Sequence, residues 1–163
     1  MGTEIERKFL VRSDRWRSSA DSGRRFRQGY LPNDGASCAV RVRTAGDKAW
    51  LTVKGYGDGV SRPEFEYPIP LGDAEQMLDT LCRRPLIEKT RHLVRHAGRT
   101  WEVDVFDGQN AGLVVAEIEL TRADEPFELP PWAGRDVTLD PRYLNVNLVE
   151  NPYSAWRSDE APA

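Results

Sequence analysis

The sequence predicts a mainly β (α+β) fold, an eight-stranded antiparallel closed β-barrel with a polar, charged interior and flanking helices. Seven segments alternate charged and apolar residues, which is the period of a β-strand with two unlike faces. Short turns at Gly46-Asp47 and Ala97-Gly98 join neighbouring segments and make those strands antiparallel. Closure would remove free strand edges. The charged faces would then line a hydrated interior, because unhydrated charges in a core are costly.

The opening segment carries the pattern in its plainest form. Glu4, Glu6 and Lys8 fall on one face of a strand, and apolar residues such as Ile5 and Phe9 fall on the other. Two carboxylates two residues apart fit a hard cation such as magnesium (Mg²⁺) or manganese (Mn²⁺). The neighbouring ammonium fits a bound anion. A metal and an anion side by side indicate phosphate chemistry, although a solvated strand face also carries Glu and Lys.

The same design returns in six further segments, and most of them carry one sign of charge. The basic residues are Arg41, Arg43, Lys54, Lys89 and Arg91, the acidic ones are Glu102, Asp104, Glu117 and Glu119, and one segment mixes Arg62, Glu64 and Glu66. Segregated signs store repulsion within each strand, whereas mixed signs would gain cross-strand pairs. A cation bound at the acidic strands and an anion bound at the basic strands would relieve that repulsion.

The remaining elements follow in chain order. Strands are expected near residues 3–11, 25–31, 38–45, 48–55, 61–69, 87–96, 99–107 and 113–122. Ser13-Asp14 predicts the cap of a short helix to about Ala20. Residues 73–82 predict an amphipathic helix that begins at Gly72-Asp73 and cannot continue through Pro85.

The C-terminal third predicts less regular structure. The Pro-rich segment 125–134 is expected to be irregular. Residues 140–150 predict a helix, and 153–156 a short turn. We expect a single domain over residues 1–156 and a frayed tail at 157–163, since 163 residues suffice for one core.

Composition indicates which binding partners and which cellular compartment to expect. The net charge of −3 gives no broad nucleic-acid footprint. Cys38 and Cys82 are the only cysteines, which predicts no disulfide framework and favours a reducing cytoplasm. The N-terminus has no apolar signal region and no stretch has the length of a membrane helix, so no membrane partner is expected. A homodimer is left open.

Taken in order, the charged motifs resemble those of the CYTH family, the triphosphate tunnel metalloenzymes, over nearly the whole chain. The motifs are Glu4-Ile-Glu-Arg-Lys8, Gln28-Gly-Tyr-Leu31, Arg41-Val-Arg43, Leu51-Thr-Val-Lys54-Gly55, Arg62-Pro-Glu64-Phe-Glu66, Lys89-Thr-Arg91, Glu102-Val-Asp104 and Glu117-Ile-Glu119. The resemblance implies an eight-stranded tunnel that binds a triphosphate and divalent metals. The opening motif is most similar to that of small bacterial inorganic triphosphatases, which implies hydrolysis of tripolyphosphate to pyrophosphate and phosphate.

The chemistry of the residues and the resemblance together assign expected roles. The expected substrate-binding residues are Lys8, Arg41, Arg43, Lys54, Arg62, Lys89 and Arg91, which can neutralise a polyanion. The expected ligands of Mg²⁺ or Mn²⁺ are Glu4, Glu6, Glu64, Asp104, Glu117 and Glu119. The expected catalytic residues are Glu4, Glu6, Lys8, Lys89, Glu117 and Glu119. Glu119 or Glu117 is expected to orient the attacking water for in-line displacement.

Alternatives remain for function and for single residues. A thiamine triphosphatase or a class IV adenylyl cyclase would use the same tunnel, and a non-catalytic polyphosphate-binding module would need no acidic strands. His92 and His96 are expected to be packing or surface groups. Arg62 either contacts the substrate or pairs with Glu66, and Tyr30 belongs either to the core or to the tunnel wall.

Overall fold

The computed structural model describes residues 2–33 and 37–156, and the frayed tail expected at 157–163 lies outside them. One antiparallel sheet dominates the described residues. Its strands are β1 (Glu4–Val11), β2 (Arg24–Tyr30), β3 (Cys38–Ala45), β4 (Lys48–Gly55), β5 (Ser61–Arg62), β6 (Glu64–Pro68), β7 (Ile87–His96), β8 (Arg99–Phe106), β9 (Val114–Glu119) and β10 (Ala133–Asp136). The α-helices are α1 (Leu71–Thr80) and α2 (Asn145–Glu150), and 3₁₀ turns span Asp14–Ser19, Gly108–Asn110, Pro141–Tyr143 and Tyr153–Ala155.

The sheet curls into a nearly closed barrel. Its strand order is β10-β1-β9-β8-β7-β2-β3-β4-β6, and β5 pairs with β1. β5 and β6 are the single strand predicted at 61–69, divided at Pro63. On one side Arg62 pairs with Glu4, and on the other Glu64 pairs with Lys54. Proline has no N–H for a sheet ladder, so the strand changes partner there and closes the ring.

The strand β10 was not predicted, because the segment around it was expected to be irregular. It pairs with the second half of β1, with Phe9 opposite Asp136 and Val11 opposite Ala133. The residues Ala133–Asp136 include glycine and aspartate and no β-branched or aromatic residue, so they carry little strand propensity. The pairing therefore depends on the free edge of β1 rather than on the segment's own sequence.

The helices form close to their predicted places but with shifted bounds. α1 begins at Leu71 directly after Pro70, ahead of the predicted start at Gly72-Asp73. The helix predicted at 140–150 is interrupted at Leu144, whose backbone is extended, so a 3₁₀ turn precedes α2. The helix predicted after Ser13 is a 3₁₀ turn without a side-chain cap. None of the helices in residues 2–33 and 37–156 is long and apolar enough to cross a membrane.

Three apolar clusters hold the barrel, and one of them lies inside it. α1 covers the outer face of β3 and β4, and the 3₁₀ turn with Trp16 and the segment with Trp132 cover β1, β8 and β9. The third cluster joins inward residues such as Leu10 and Phe106 to Tyr143 and Leu148 of the C-terminal segment. The interior was expected to be polar throughout, but the C-terminal segment fills one end with apolar side chains.

This packing predicts that the C-terminal segment stabilises the whole barrel. Leu148 is 0% exposed within the inner cluster, whereas Leu139 is 71% exposed. Leu148→Ala should lower the free energy of unfolding by about 2–5 kcal/mol, since it removes buried methyl groups and leaves a cavity. Leu139→Ala is the matched control and should change it by less than about 0.5 kcal/mol. Urea unfolding followed by Trp fluorescence measures both, and equal effects would contradict the packing described.

Candidate functional site

A cavity of about 260 Å³ lies inside the barrel and is lined mainly by charged side chains. Seven basic residues line it, namely Lys8, Arg41, Arg43, Lys54, Arg62, Lys89 and Arg91. Seven glutamates line it as well, namely Glu4, Glu6, Glu64, Glu66, Glu102, Glu117 and Glu119. Strand alternation therefore places every residue of the predicted substrate-binding set on the wall of this one cavity. Of the predicted metal ligands, Asp104 alone does not line it.

Equal numbers of cationic and anionic side chains balance the charge of this lining when every group is ionised. Lys54 Nζ donates to Glu4 at 3.0 and 3.1 Å and lies 3.2 Å from Glu64. Arg62 donates through Nε to Glu4 and through Nη2 to Glu6, both at 3.0 Å. Arg62 thus pairs with the opening motif, and the alternative in which it pairs with Glu66 is wrong.

Glu66 instead accepts hydrogen bonds from side chains of two neighbouring strands. Its Oε2 accepts from Thr52 Oγ1 at 2.7 Å, from Arg43 Nη2 at 3.2 Å and from Arg41 Nη2 at 3.3 Å. The Arg43 guanidinium also lies over the Phe26 ring, with 5.1 Å from Cζ to the ring centroid. Burial, followed by the charge of Arg41, lowers the pKa of Arg43 to about 10. This part of the wall holds two guanidinium groups side by side, the geometry suited to phosphate oxygens.

The carboxylates of β1 and β9 form the acidic side of the cavity. Glu6 lies opposite Glu119 and Lys8 opposite Glu117 in the strand register. Burial first, and then the nearby Glu117 carboxylate, raises the pKa of Glu6 to about 7. Burial and the charge of Glu4 also raise the pKa of Glu119. Crowded carboxylates with raised pKa values carry an electrostatic cost that a bound cation would remove.

Glu117 differs from the other carboxylates of the acidic side. Burial alone would raise its pKa, but Lys8 and Arg91 outweigh burial and lower it well below its ordinary value. Lys8 Nζ lies 3.5 Å from Oε1, and Arg91 Nη2 lies 3.3 Å from Oε2. Glu117 is therefore ionised at any moderate pH and joins the acidic side to the basic side.

Asp104 lies behind the cavity wall, which does not fit its predicted role as a metal ligand. Its side chain is 0% exposed. Lys89 Nζ donates to Oδ2 at 2.8 Å, and Arg91 donates to Oδ1 at 2.7 Å and to Oδ2 at 2.8 Å. Both oxygens are occupied by cations, so Asp104 anchors Lys89 and Arg91. Burial lowers the pKa of Lys89 to about 8, although Asp104 opposes that shift.

The donor set fits a hard divalent cation in kind and in placement, but it is not preassembled. Glu4, Glu6, Glu117 and Glu119 are oxygen donors on two paired strands, which Mg²⁺ or Mn²⁺ prefers. Within residues 2–33 and 37–156, no three acidic, His or Cys side chains converge as a ready metal site. Lysine and arginine side chains hold Glu4, Glu6 and Glu117 in ion pairs, so metal binding would require those partners to move.

Several cavity residues lay outside the predicted set. Glu66 and Glu102 share the strand parity of the predicted residues, which is the signal that could have identified them. Tyr56, Asn145 and Val146 come from segments without alternation, where the sequence gives no such signal.

The uncharged and histidine candidates occupy distinct places. Tyr30 both lines the cavity and belongs to the inner apolar cluster, so its two alternatives hold together. His92 packs against Trp16, with ring centroids 5.2 Å apart, and His96 Nε2 lies 3.3 Å from Glu128. Neither histidine lines the cavity.

Comparisons with known proteins are consistent with this arrangement. The CYTH domain profile matches residues 2–153. An inorganic triphosphatase from Acetivibrio thermocellus is 52% identical over 157 residues, which cover 96% of this chain and 99% of that protein. An inorganic triphosphatase from Nitrosomonas europaea is 38% identical over 150 residues, covering 90% and 97%. A crystal structure of an inorganic triphosphatase superposes with a TM-score of 0.65 at 34% identity, covering 91% of this chain and 95% of that one.

The raised pKa of Glu6 predicts a pH-dependent cost to the fold. The folded pKa of about 7 exceeds the ordinary 4.5, so stability is full below about 4.5 and falls as the pH rises towards 7. Glu6→Gln removes the charge and should be more stable than the parent protein by about 1–3 kcal/mol at about pH 8.5. The difference should shrink at about pH 4.5.

Urea unfolding in EDTA at both pH values measures this difference. Glu128→Gln is the control, because Glu128 has a largely exposed side chain outside the cavity. A Glu6→Gln protein that is less stable than the parent at both pH values would contradict the assignment of the strain to Glu6.

Proposed function

The chain belongs to the CYTH family, and from that premise we propose that it is a divalent-metal-dependent triphosphatase that hydrolyses inorganic tripolyphosphate to pyrophosphate and phosphate. The observation that carries this proposal is the pairing of seven cationic with seven anionic side chains around one cavity. A site for an anion alone would be lined by cations in excess. The balanced lining instead suits an anion that arrives together with a metal cation.

The basic wall would bind the phosphate chain. Arg41 and Arg43 present paired guanidinium groups, and Lys8, Lys54 and Arg62 face the acidic strands. Charge-assisted hydrogen bonds to phosphate oxygens are short and strong, and burial of the wall residues strengthens them further. Because the inner apolar cluster closes one end of the barrel, the phosphate chain would enter from the other end.

The acidic wall would hold Mg²⁺ or Mn²⁺ through Glu4, Glu6, Glu117 and Glu119, with Glu64 beside them. Such a metal, when bound, neutralises charge on the phosphate oxygens and makes phosphorus more electrophilic. Lys54 and Arg62 hold Glu4 and Glu6 in the free protein. Phosphate oxygens would compete for those two cations and release the carboxylates. Anion and metal would therefore favour each other's binding.

Between the two candidates for orienting water, Glu119 fits better than Glu117. Glu119 is exposed to the cavity and its pKa is raised by burial and by Glu4, which favours acceptance of a proton. Glu117 is held by Lys8 and Arg91 and its pKa is lowered. Glu119 would hold the water in line with the terminal phosphorus, and Glu117 would fix the two cations beside it.

A second candidate, hydrolysis of an organic triphosphate such as thiamine triphosphate, is favoured by one residue. Tyr56 lines the cavity and is 60% exposed, so its ring could stack an organic substituent outside the phosphate-binding part. A single exposed ring offers less recognition than the charged wall does. We therefore rank tripolyphosphate first.

We also place the enzyme in the cytoplasm, which suits the two free thiols of Cys38 and Cys82.

Metal dependence is the direct test of the proposed function. Purified protein should lose tripolyphosphate hydrolysis in EDTA and regain it with Mg²⁺ or Mn²⁺, measured as released phosphate. Glu4→Gln should lower kcat at least about a hundredfold, because several kcal/mol of metal-derived stabilisation are lost. Glu128→Gln should retain the parent rate. Full turnover in EDTA would refute a metal-dependent mechanism, and release of no phosphate under any metal would leave the polyphosphate-binding alternative.

Substrate choice separates the candidate activities. With one metal, kcat/KM for tripolyphosphate should exceed that for ATP and thiamine triphosphate at least about tenfold, because binding energy comes from the phosphates. No cyclic AMP should form from ATP. Tyr56→Ala should leave tripolyphosphate turnover unchanged and lower that of the organic triphosphates about fivefold or more, the loss of one stacking contact. A preference for thiamine triphosphate would establish the second candidate instead.

A further inference from the structure

We infer that Asn145 is a positioning residue that orients the Lys89 ammonium towards the substrate cavity. This inference rests on the proposed function. It concerns a residue of the C-terminal segment, which carries none of the alternating charges of the strands. The geometry that leads to it is a set of hydrogen bonds between this segment and the strands β2 and β7.

The backbone at Asn145 is held firmly in place. Asn145 is the first residue of α2, directly after the extended Leu144. On its two sides, Tyr143 and Leu148 are both buried in the inner apolar cluster. Two buried anchors, one before and one after, fix the position from which the Asn145 side chain reaches the cavity.

The side-chain oxygen of Asn145 is an acceptor shared by two strands. Its Oδ1 accepts from Lys89 Nζ on β7 at 3.0 Å and from Gln28 Nε2 on β2 at 3.2 Å. Gln28 is fully buried, and its Nε2 also donates to the Tyr30 hydroxyl at 3.2 Å. Both protons of the Gln28 amide are used, whereas its Oε1 is buried without a hydrogen-bond partner among the described residues, so the amide nitrogen is the group that holds the Asn145 oxygen.

This acceptor determines where the protons of Lys89 point. A lysine ammonium has three donors. One is given to Asp104 at 2.8 Å and one to Asn145 at 3.0 Å. Two fixed acceptors set the direction of the third N–H, and Lys89 is a lining residue of the cavity. The third donor is therefore directed by the two acceptors together, and Asp104 alone would leave the ammonium free to rotate about one bond.

Loss of the Asn145 oxygen should therefore reproduce a part of the loss of Lys89. Asn145→Ala removes the acceptor, and Asn145→Leu removes it while keeping the branched shape of the side chain. Each should lower kcat/KM for tripolyphosphate about ten- to a hundredfold, the range of a hydrogen bond to a charged group. The change should divide between kcat and KM as it does in Lys89→Ala. A merely structural effect has no reason to follow that division.

Asn147→Ala is the matched control. Asn147 lies two residues further along the same helix and donates to the Pro141 carbonyl at 2.7 Å, without lining the cavity. It should keep the parent kinetics. A double-mutant cycle adds a second readout: affinity for tripolyphosphate, measured by calorimetry in EDTA, should fall in Asn145→Leu but show no further fall when Asn145→Leu is added to Lys89→Ala.

The outcomes distinguish this inference from the function it rests on. Absence of triphosphatase activity in the parent protein would refute the proposed function, and the calorimetric cycle would still test the coupling between Asn145 and Lys89. Activity in the parent with equal kinetics in Asn145→Leu and Asn147→Ala would overturn the inference alone. Additive losses in the double variant would also overturn it, because Asn145 would then act without Lys89.

Discussion

Buried charges inside a barrel have to be compensated at close range, because an unpaired ion removed from water costs several kcal/mol. The protein meets this constraint by giving its cavity cations carboxylate partners. Lys89 and Arg91 share the buried Asp104, and Arg62 bridges two glutamates of the opening motif. Removal of Asp104 would expose Lys89 and Arg91 to the same cost, so these three side chains behave as one unit.

The fold supplies the register that makes these pairs. β1 and β9 place Lys8 directly opposite Glu117, and the change of partner at Pro63 places Arg62 opposite Glu4. Apolar packing outside the barrel holds the strands, and the inner apolar cluster closes one end. The charged residues therefore do not stabilise the fold by themselves. Packing of the apolar faces sets the geometry, and the ion pairs make that geometry tolerable for the charges within it.

Strand alternation was sufficient to predict which side chains of the strands face the interior of the barrel, because the side-chain period of a strand is two and a parity error would invert a whole face. It could not predict partners. Whether Arg62 meets Glu66 or Glu4 depends on which strands are neighbours, and Asp104 is hidden because Lys89 and Arg91 lie on the adjacent strand. The cavity residues of the C-terminal segment could not be predicted either. The position of that segment is set by burial of its apolar side chains, which show no strand alternation.

A cavity whose cations are already paired binds an anion by exchange rather than by simple attraction. A phosphate oxygen that takes Lys54 or Arg62 would remove one of the two cations paired with Glu4, and that carboxylate would then be only partly compensated. A divalent metal bound beside Glu4 would restore the charge balance there. Under the proposed function, the equal numbers of acidic and basic groups would therefore couple the two ligands, since each would lower the electrostatic cost of binding the other. A wall of excess cations would bind polyphosphate equally well with or without a metal, whereas the carboxylates of β1 and β9 would make metal-free binding weaker than binding with the metal.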